Sequence, residues 1–254
     1  MRVVLDIETA HHVHAFFEWF GIFVGAFLYR RFRKFKPGVG FQSPEVGSLI
    51  AGSLLGALLG SKLVALVEHP RSAAFLFENP AFLFSGQSIV GGLLGGWLGV
   101  ELAKKLAKIG SRTGDDFVQP LLAGIAIGRV GCFLAGLNDG TYGVPTTMPW
   151  GVDFGDGIFR HPTQLYECLL AVAAMLTYPR WRRVFAHEAG LAFRVFIAGY
   201  LLWRLLIDGL KPVPFAYPLG WSGIQWICLL CLLGMLAVRL QAMRQTFKKR
   251  NLNT

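Results

Sequence analysis

Seven long apolar stretches divide this chain, and they constrain its fold more than any other feature. They run over residues 12–31, 45–67, 86–104, 117–137, 163–180, 190–209 and 219–240. A helix needs about 20 mostly apolar residues to cross the hydrocarbon core of a bilayer. Inside that core every backbone polar group must be hydrogen-bonded within the protein, which a helix achieves. The sequence therefore predicts an all-α, polytopic membrane protein with seven transmembrane helices.

Composition excludes several other classes of protein. The 254 residues are 54% hydrophobic and only 16% charged, whereas soluble domains have about 25% charged residues. The chain is too apolar for intrinsic disorder, and four cysteines are too few for a disulfide-stapled scaffold. The remaining residues leave no room for a soluble domain. We expect one membrane domain over residues 1–254, with an exterior loop at about 138–162.

The distribution of basic residues predicts the orientation. The net charge of +10 would indicate nucleic-acid binding in a soluble protein, but here lysine and arginine cluster between the apolar stretches, and we expect no nucleic-acid partner. Clusters after stretches one, three, five and seven contain Arg30, Arg31, Arg33, Lys34 and Lys36; Lys104, Lys105, Lys108 and Arg112; Arg180, Arg182 and Arg183; and Arg239, Arg244, Lys248, Lys249 and Arg250. The opposite side has only Arg2, Arg71, Arg160 and Lys211. Because basic residues favour the cytoplasmic side, we expect an exterior N-terminus and a cytoplasmic C-terminus.

Two glycine ladders predict close packing of the second and third helices. Each ladder repeats every four residues, which places its members on one helical face. Small residues at this spacing let two helix backbones approach closely in lipid. The ladders are Gly52, Gly56 and Gly60 in the second stretch, and Gly91, Gly95 and Gly99 in the third.

Three cations lie inside apolar stretches, toward the predicted outer side: Lys62, Arg129 and Arg204. Charges within a membrane are costly and usually face a cavity or a partner. Tyr200, Arg204 and Asp208 share one helical face at a spacing of four. They form either a charge-neutralising Arg204–Asp208 pair or a polar row that lines a wet cleft. Because guanidinium groups suit phosphate oxygens, two converging arginines indicate an anionic lipid head group.

The loop between the fourth and fifth stretches contains successive Gly, Pro and Asp residues, which are typical of turns. It ends in a run of polar residues at the entrance of the fifth helix. These residues include His161, Gln164, Tyr166 and Glu167. Interfacial anchoring explains the aromatic residues of this loop, but it does not explain the whole run.

Four ordered motifs resemble those of the bacterial prolipoprotein diacylglyceryl transferases. Residues 128–136 resemble the family's GRxGNFxNG signature, and residues 160–167, RHPTQLYE, resemble its RHPSQLYE segment. Residues 86–95 resemble GGMSFHGGLIG, and residues 200–208 resemble its Y-x3-R-x3-E helix. The resemblance covers nearly the whole chain, and the family has seven spans in the orientation predicted above.

The resemblance implies a function and a set of site residues. Family members transfer a diacylglyceryl group from phosphatidylglycerol to a lipoprotein cysteine thiol at the outer leaflet of the bacterial plasma membrane. The implied substrates are phosphatidylglycerol, or another anionic phospholipid, and prolipoproteins. Arg129 and Arg204 are expected to bind the lipid phosphate together with Lys62, while Tyr200 and His161 complete the catalytic set. Expected supporting residues are Gln164, Tyr166, Glu167, Asp208, Gly128, Gly131, Gly136 and Cys132.

The chain also departs from the family pattern. Val90 replaces the histidine before the family's GGLIG, and valine cannot transfer a proton. Cys132 replaces the signature asparagine, Lys62 replaces an arginine, and Asp208 replaces a glutamate. A different base must then serve, and His161, Asp139 and Glu167 are candidates.

Two other functions remain open from the sequence. One is a lipid-binding or lipid-handling paralogue that has lost or changed the transferase chemistry. The other is a small transporter, although the chain lacks the paired discontinuous helices typical of that class.

Several cysteines and histidines admit two interpretations. Cys132 is either a small residue at a helix end or a thiolate favoured by nearby Arg129 and open to a lipid adduct. His11, His12 and His14 form either a polar lead-in to the first helix or metal ligands. Cys228 and Cys231 indicate packing more than metal binding. We expect neither a metal nor a cofactor.

Overall fold

The computed structural model describes residues 5–32, 44–71 and 87–251, and these contain seven α-helices. The helices are α1 Ile7–Phe32, α2 Pro44–Glu68, α3 Ile89–Leu106, α4 Val118–Ala135, α5 Thr163–Val184, α6 Leu191–Ile207 and α7 Gly223–Asn251. Each apolar stretch of the sequence corresponds to one helix, which confirms the helical class. Gly86 of the third motif, together with Arg2, Arg33, Lys34 and Lys36, lies outside the described residues.

Three segments of the described chain are long and apolar enough to cross a membrane by length and composition. They are Val46–Glu68, Gly114–Asp139 and Gly223–Gln245. Large apolar side chains are also exposed along the helices, among them Trp19, Phe23 and Leu58, with 72%, 68% and 58% of their surface accessible. Such exposure is costly in water and favourable in lipid, so it fits a membrane protein.

The fold divides into two compact units. The first contains α1, α4, α5, the beginning of α6 and the segment Gly209–Pro212; the second contains α2, α3, the rest of α6 and α7. The chain passes from the first to the second after Phe196 in α6. Each unit is described by itself below, and the single membrane domain stays a prediction.

In the second unit, α2 and α3 pack backbone to backbone through the predicted glycine ladders. A Cβ added at Gly56 would lie 2.2 Å from the Gly95 carbonyl oxygen, and one added at Gly95 would lie 2.1 Å from that of Gly56. At Gly99 it would lie 2.0 Å from the Gly52 oxygen. No side chain fits at such distances, so the close packing predicted from the ladders is confirmed.

Polar groups fix the C-terminal part of α2 against its neighbours. The Ser88 side chain caps α3 by accepting from the Gly91 N–H at 3.4 Å, while the Ser88 N–H donates to the Ser61 hydroxyl of α2 at 2.9 Å. At the last residue of α2, the Glu68 carboxylate accepts from the Ile224 N–H at 2.9 Å. It thus satisfies an otherwise orphaned donor in the first turn of α7.

In the first unit, α4 is the central helix, and α1 and α5 pack against it. A Cβ at Gly21 would lie 3.2 Å from the Gly124 oxygen, and one at Gly131 would lie 2.6 Å from the Phe17 Cβ. The start of α6 is capped by Asp115, which accepts from the Gly190 and Phe193 N–H groups at 2.7 and 2.9 Å.

The loop between α4 and α5 contains two short strands, β1 Val152–Asp153 and β2 Phe159–Arg160, which pair antiparallel. This hairpin is a small departure from the all-α prediction. Its turn forms because the Asp153 carboxylate accepts from the Gly155 and Gly157 N–H groups at 2.7 and 3.0 Å. Both glycines have positive φ, which side chains disfavour.

Arg160 holds the hairpin together. Its guanidinium pairs with both Asp156 oxygens at 2.7 and 2.6 Å and lies 5.2 Å from the centroid of the Tyr142 ring. Hydrogen bonding from Arg160 lowers the pKa of Asp156 to about 2. The first residue of the RHPTQLYE segment therefore organises the loop.

The α2–α3 interface gives a direct test. We expect Gly95→Ala to destabilise the protein by about 1–3 kcal/mol, because its methyl group would collide with backbone. The matched control is Gly92→Ala on the same helix, where an added Cβ would lie 4.0 Å from the Ser61 Cβ. Since alanine is the better helix former, that variant should be neutral or slightly stabilised. Thermal unfolding in detergent measures both, and equal midpoints would contradict the packing described here.

Candidate functional site

A buried cluster of three charges lies within the first unit. Arg129 of α4 contacts Glu167 of α5, with 2.8 Å between Nη2 and Oε2, and Lys211 contacts the other oxygen of Glu167 at 2.5 Å. The side chains of Arg129, Glu167 and Lys211 are 3%, 1% and 10% exposed. Burying an unpaired charge costs several kcal/mol, so such groups must be paired. The three formal charges sum to +1, which favours the approach of an anion.

Backbone hydrogen bonds to the loop between α4 and α5 position Lys211, which follows α6. The neighbouring residue, Leu210, accepts with its carbonyl from the Val144 N–H at 2.8 Å. Val144 in turn accepts from the His161 N–H at 3.1 Å. These backbone bonds fix the segment that follows α6 against the loop, and so they position the lysine.

Gln164 adds a buried polar group on the same face of α5 as Glu167. It is fully buried, and neither its amide oxygen nor its amide nitrogen has a hydrogen-bond partner among the described residues. An unsatisfied buried amide costs about 1–3 kcal/mol. A polar ligand near Arg129 would remove that penalty.

His161 and Tyr166 form a short hydrogen-bonded chain at the start of α5. The Trp150 Nε1–H donates to the Tyr166 hydroxyl at 2.7 Å, and that hydroxyl lies 3.1 Å from His161 Nδ1. His161 is half-buried. Tyr166 therefore helps to orient the imidazole ring through Nδ1.

Three glycines of the GRVGCFLAG motif have different local roles. Gly131 allows the close contact with Phe17, and Gly136 ends α4 with a φ of +61°. At Gly128, by contrast, a Cβ would meet no atom of the described residues within 4 Å. Packing with the described residues therefore does not require a glycine at this position, and the space next to Gly128 is open.

The Tyr200–Arg204–Asp208 row lies in the second unit. All three residues are buried, and Arg204 Nη2 lies 2.9 Å from the Asp208 carboxylate. The charge-neutralising pair is thus present, and it also fixes the position of the Arg204 guanidinium group.

Two further predicted positions lie on α2 and α3. Lys62 is half-buried on α2, and Val90, in place of the family's histidine, is fully buried. Because Arg129 and Arg204 belong to different units, their convergence stays a prediction.

Sequence reasoning missed Lys211 as a site residue. It treated this lysine only as an exterior cation. Its position could have indicated a role in the site, because Lys211 follows Asp208, the last residue of the Tyr–Arg–Asp row, by only three residues. The partners of Arg129 were missed as well, since the pairing between α4 and α5 has no local sequence pattern.

A family model described as "Prolipoprotein diacylglyceryl transferase" matches residues 2–241. The chain belongs to the prolipoprotein diacylglyceryl transferase family. This confirms the resemblance drawn from four motifs, and with it the expectation of a membrane transferase.

Individual relatives of the chain have names that agree with this family. The chain is 30% identical to the phosphatidylglycerol–prolipoprotein diacylglyceryl transferase of Pasteurella multocida, over 75% of this chain and 73% of that protein. It is 30% identical to the enzyme of that name from Nitratidesulfovibrio vulgaris (strain DSM 19637 / Miyazaki F), over 85% and 84%. For the Geobacter sulfurreducens enzyme the identity is 32%, over 77% and 78%.

The contacts of Glu167 and Asp139 bear on the choice of the catalytic base. Glu167 has one cation at each oxygen, so it is better suited to holding Arg129 and Lys211 than to accepting a proton. Asp139 accepts from the Thr141 hydroxyl and lies 3.2 Å from His14 Nε2. Which of the three candidates serves as the base stays a prediction.

The ion cluster predicts a large effect of Glu167→Gln. This change leaves two buried cations without their carboxylate, and we expect it to destabilise the protein by about 3–5 kcal/mol. Denaturant or thermal unfolding in detergent measures the loss.

The matched control is Glu188→Gln. Glu188 also pairs with two cations, Arg194 at 2.5 Å and Arg112 at 3.6 Å, but its side chain is 30% exposed. Partly exposed pairs contribute at most about 1 kcal/mol, so this variant should remain close to wild type. An equal loss of stability in both variants would show that burial does not determine how much the Glu167 cluster contributes to stability.

Proposed function

We propose that this chain is a phosphatidylglycerol–prolipoprotein diacylglyceryl transferase of the bacterial plasma membrane. The observation that carries the proposal is its similarity to enzymes of that name over most of both chains. The buried, net positive cluster around Arg129 supports it, because the donor lipid carries an anionic phosphate.

We further propose that all seven helices cross the membrane, with the N-terminus outside and the C-terminus in the cytoplasm. Support comes from the basic clusters that follow alternate helices. In this orientation the loop over residues 138–162 and the start of α5 face the exterior. The reaction therefore takes place at the outer leaflet.

The reaction exchanges one bond to carbon for another. The sulfur of the acceptor cysteine attacks the diacylglyceryl carbon that bears the phosphate oxygen, and a carbon–sulfur bond forms. The carbon–oxygen bond breaks, and its electron pair leaves with glycerol phosphate. The thiol proton passes to a base on the enzyme and then to the leaving phosphate or to solvent.

Electrostatic stabilisation is the main task of the site in this reaction. The phosphate changes from a diester with one negative charge to a monoester with up to two. Preorganised cations stabilise charge that develops in the transition state. We assign this role to Arg129 and Arg204, each held by a buried carboxylate, and we assign Lys62 to phosphate binding.

The remaining site residues orient the lipid and transfer the proton. Tyr200 lies one turn before Arg204 and orients the lipid or assists proton transfer. The Gln164 amide supplies hydrogen bonds to the polar head group, which would satisfy its buried atoms. His161 is the base that compensates for valine at position 90.

Arginine substitutions test the phosphate assignment. We expect Arg129→Ala and Arg204→Ala each to lower turnover at least about a hundredfold, the usual cost of losing one such stabilising group. The assay uses purified protein, phosphatidylglycerol and a lipobox peptide, and it measures released glycerol phosphate and lipidated peptide. Arg194→Ala is the matched control in α6, because Arg194 pairs with Glu188 and is 31% exposed.

Near-normal turnover in both variants would overturn the phosphate assignment. If the wild-type protein binds phosphatidylglycerol vesicles but never lipidates a peptide, the transferase proposal itself fails. The protein would then be a lipid-handling paralogue.

The base assignment has a separate test. We expect His161→Asn to lower the turnover number more than it changes the apparent affinity for phosphatidylglycerol, because proton transfer contributes about 10²–10⁴-fold to the chemical step. Tyr166→Phe keeps the ring and removes the hydroxyl near Nδ1, so it should cause a smaller loss of the same kind. His187→Asn, in an exposed loop, is the control. A full turnover number in His161→Asn would exclude His161 as the base.

A further inference from the structure

A second polar cluster lies beside Arg129 in the first unit, and it has no part in the chemistry above. It brings together His14 of α1, Cys132 of α4 and Asp139 of the turn Gly136–Asp139. One potential ligand atom from each residue lies within 4.8 Å of the other two. We propose that these three side chains form a binding site for a divalent cation of the Zn²⁺ class.

The distances between the ligand atoms fit a tetrahedral ion. His14 Nε2 lies 3.5 Å from the Cys132 sulfur and 3.2 Å from Asp139 Oδ1. Tetrahedral zinc with ordinary bond lengths separates its sulfur and nitrogen ligands by about 3.5 Å, and its nitrogen and oxygen ligands by about 3.3 Å. These two separations match the corresponding edges of that tetrahedron, and the third pair of ligand atoms lies within 4.8 Å.

The two short contacts of His14 converge on one ring nitrogen, Nε2. A neutral imidazole nitrogen offers either one proton or one lone pair, so it makes one good hydrogen bond. A cation placed among the three atoms would instead be bound by the nitrogen, the sulfur and the oxygen together.

The charges also balance. A thiolate and a carboxylate together neutralise a dication, and neutral imidazole completes three protein ligands. Arg129 Nη1 lies 3.8 Å from the Cys132 sulfur, and the Arg129 charge is already paired with Glu167. The Thr141 hydroxyl donates to Asp139 Oδ2 and orients that carboxylate, as outer groups do around bound metals.

A fourth coordination position remains for water or for Glu18. The Oε1 of Glu18 lies 3.9 Å from His14 Nε2, and its side chain is 54% exposed. Three protein ligands and one exchangeable position are the arrangement of open zinc sites.

This inference departs from the expectation that the chain binds no metal, and it does not depend on the proposed transferase reaction. Cys132 stands where the family signature has asparagine, whose amide is a weak ligand for zinc. His14 and Cys132 are 118 residues apart in the sequence. The sequence spacing therefore does not reveal that they lie close together. A bound ion would tie α1 to the end of α4.

Cobalt(II) is the probe, because it replaces zinc and reports its ligands by absorption. Full-length, tag-free protein in detergent is stripped with EDTA and titrated with Co²⁺. We expect one Co²⁺ per chain, a thiolate-to-cobalt charge-transfer band and the intense visible bands of a tetrahedral ion, all removed by Zn²⁺. Cys132→Ser should abolish the charge-transfer band.

Two controls separate this site from adventitious binding. Cys168→Ser removes a different half-buried thiol and should leave the spectrum unchanged. The double variant His11→Ala/His12→Ala removes the exposed histidines of α1 and should also leave it unchanged. His14→Gln and Asp139→Asn should weaken Co²⁺ binding at least about tenfold, and they keep the test decisive if Cys132→Ser does not fold.

The proposal is overturned if wild-type protein shows no charge-transfer band, if the band survives in Cys132→Ser, or if it disappears in the His11/His12 variant. None of these readouts requires turnover. An inactive enzyme that still binds Co²⁺ through Cys132 would refute the proposed function and leave the metal site standing.

Discussion

The cost of placing charge in an apolar medium governs the site in the first unit. Arg129, Glu167 and Lys211 come from three distant parts of the chain, and each is tolerated in the interior only because the others are present. The cluster therefore links α4, α5 and the segment after α6. Because its formal charge is positive, the cluster that pairs these buried charges also suits the anionic phosphate that we propose as its ligand. Structure and proposed chemistry thus depend on one set of contacts.

The sequence predicted the helices well because each is specified locally. Length and hydropathy placed seven helices, and the spacing of Gly56 and Gly95 predicted which helix faces meet. Resemblance to a family supplied the site motifs. Long-range pairing was not predictable, because nothing in the vicinity of Arg129 or Glu167 indicates which opposite charge will face it. Lys211 was missed for that reason, as was the contact of His14 with Asp139.

The structure shows the surroundings of two residues that depart from the family pattern, Val90 and Cys132. Val90 is fully buried, so its position now contributes packing and no polar group. Cys132 replaces an amide with a sulfur that lies 3.5 Å from a histidine nitrogen. One substitution removes a proton carrier and the other introduces a soft ligand. The residues near Arg129 in this chain therefore differ from those of the family signature, although Arg129 and Arg204 themselves are retained.

The glycine ladders have a consequence for the entropy of association. A glycine has no side-chain rotamers to immobilise, so α2 and α3 join without that loss of freedom at any of their six ladder positions. Lipid tails provide no hydrophobic force to drive the two helices together, and a low ordering cost is then a substantial advantage. The same close approach excludes any side chain at these positions, because even a methyl group would force the two backbones apart.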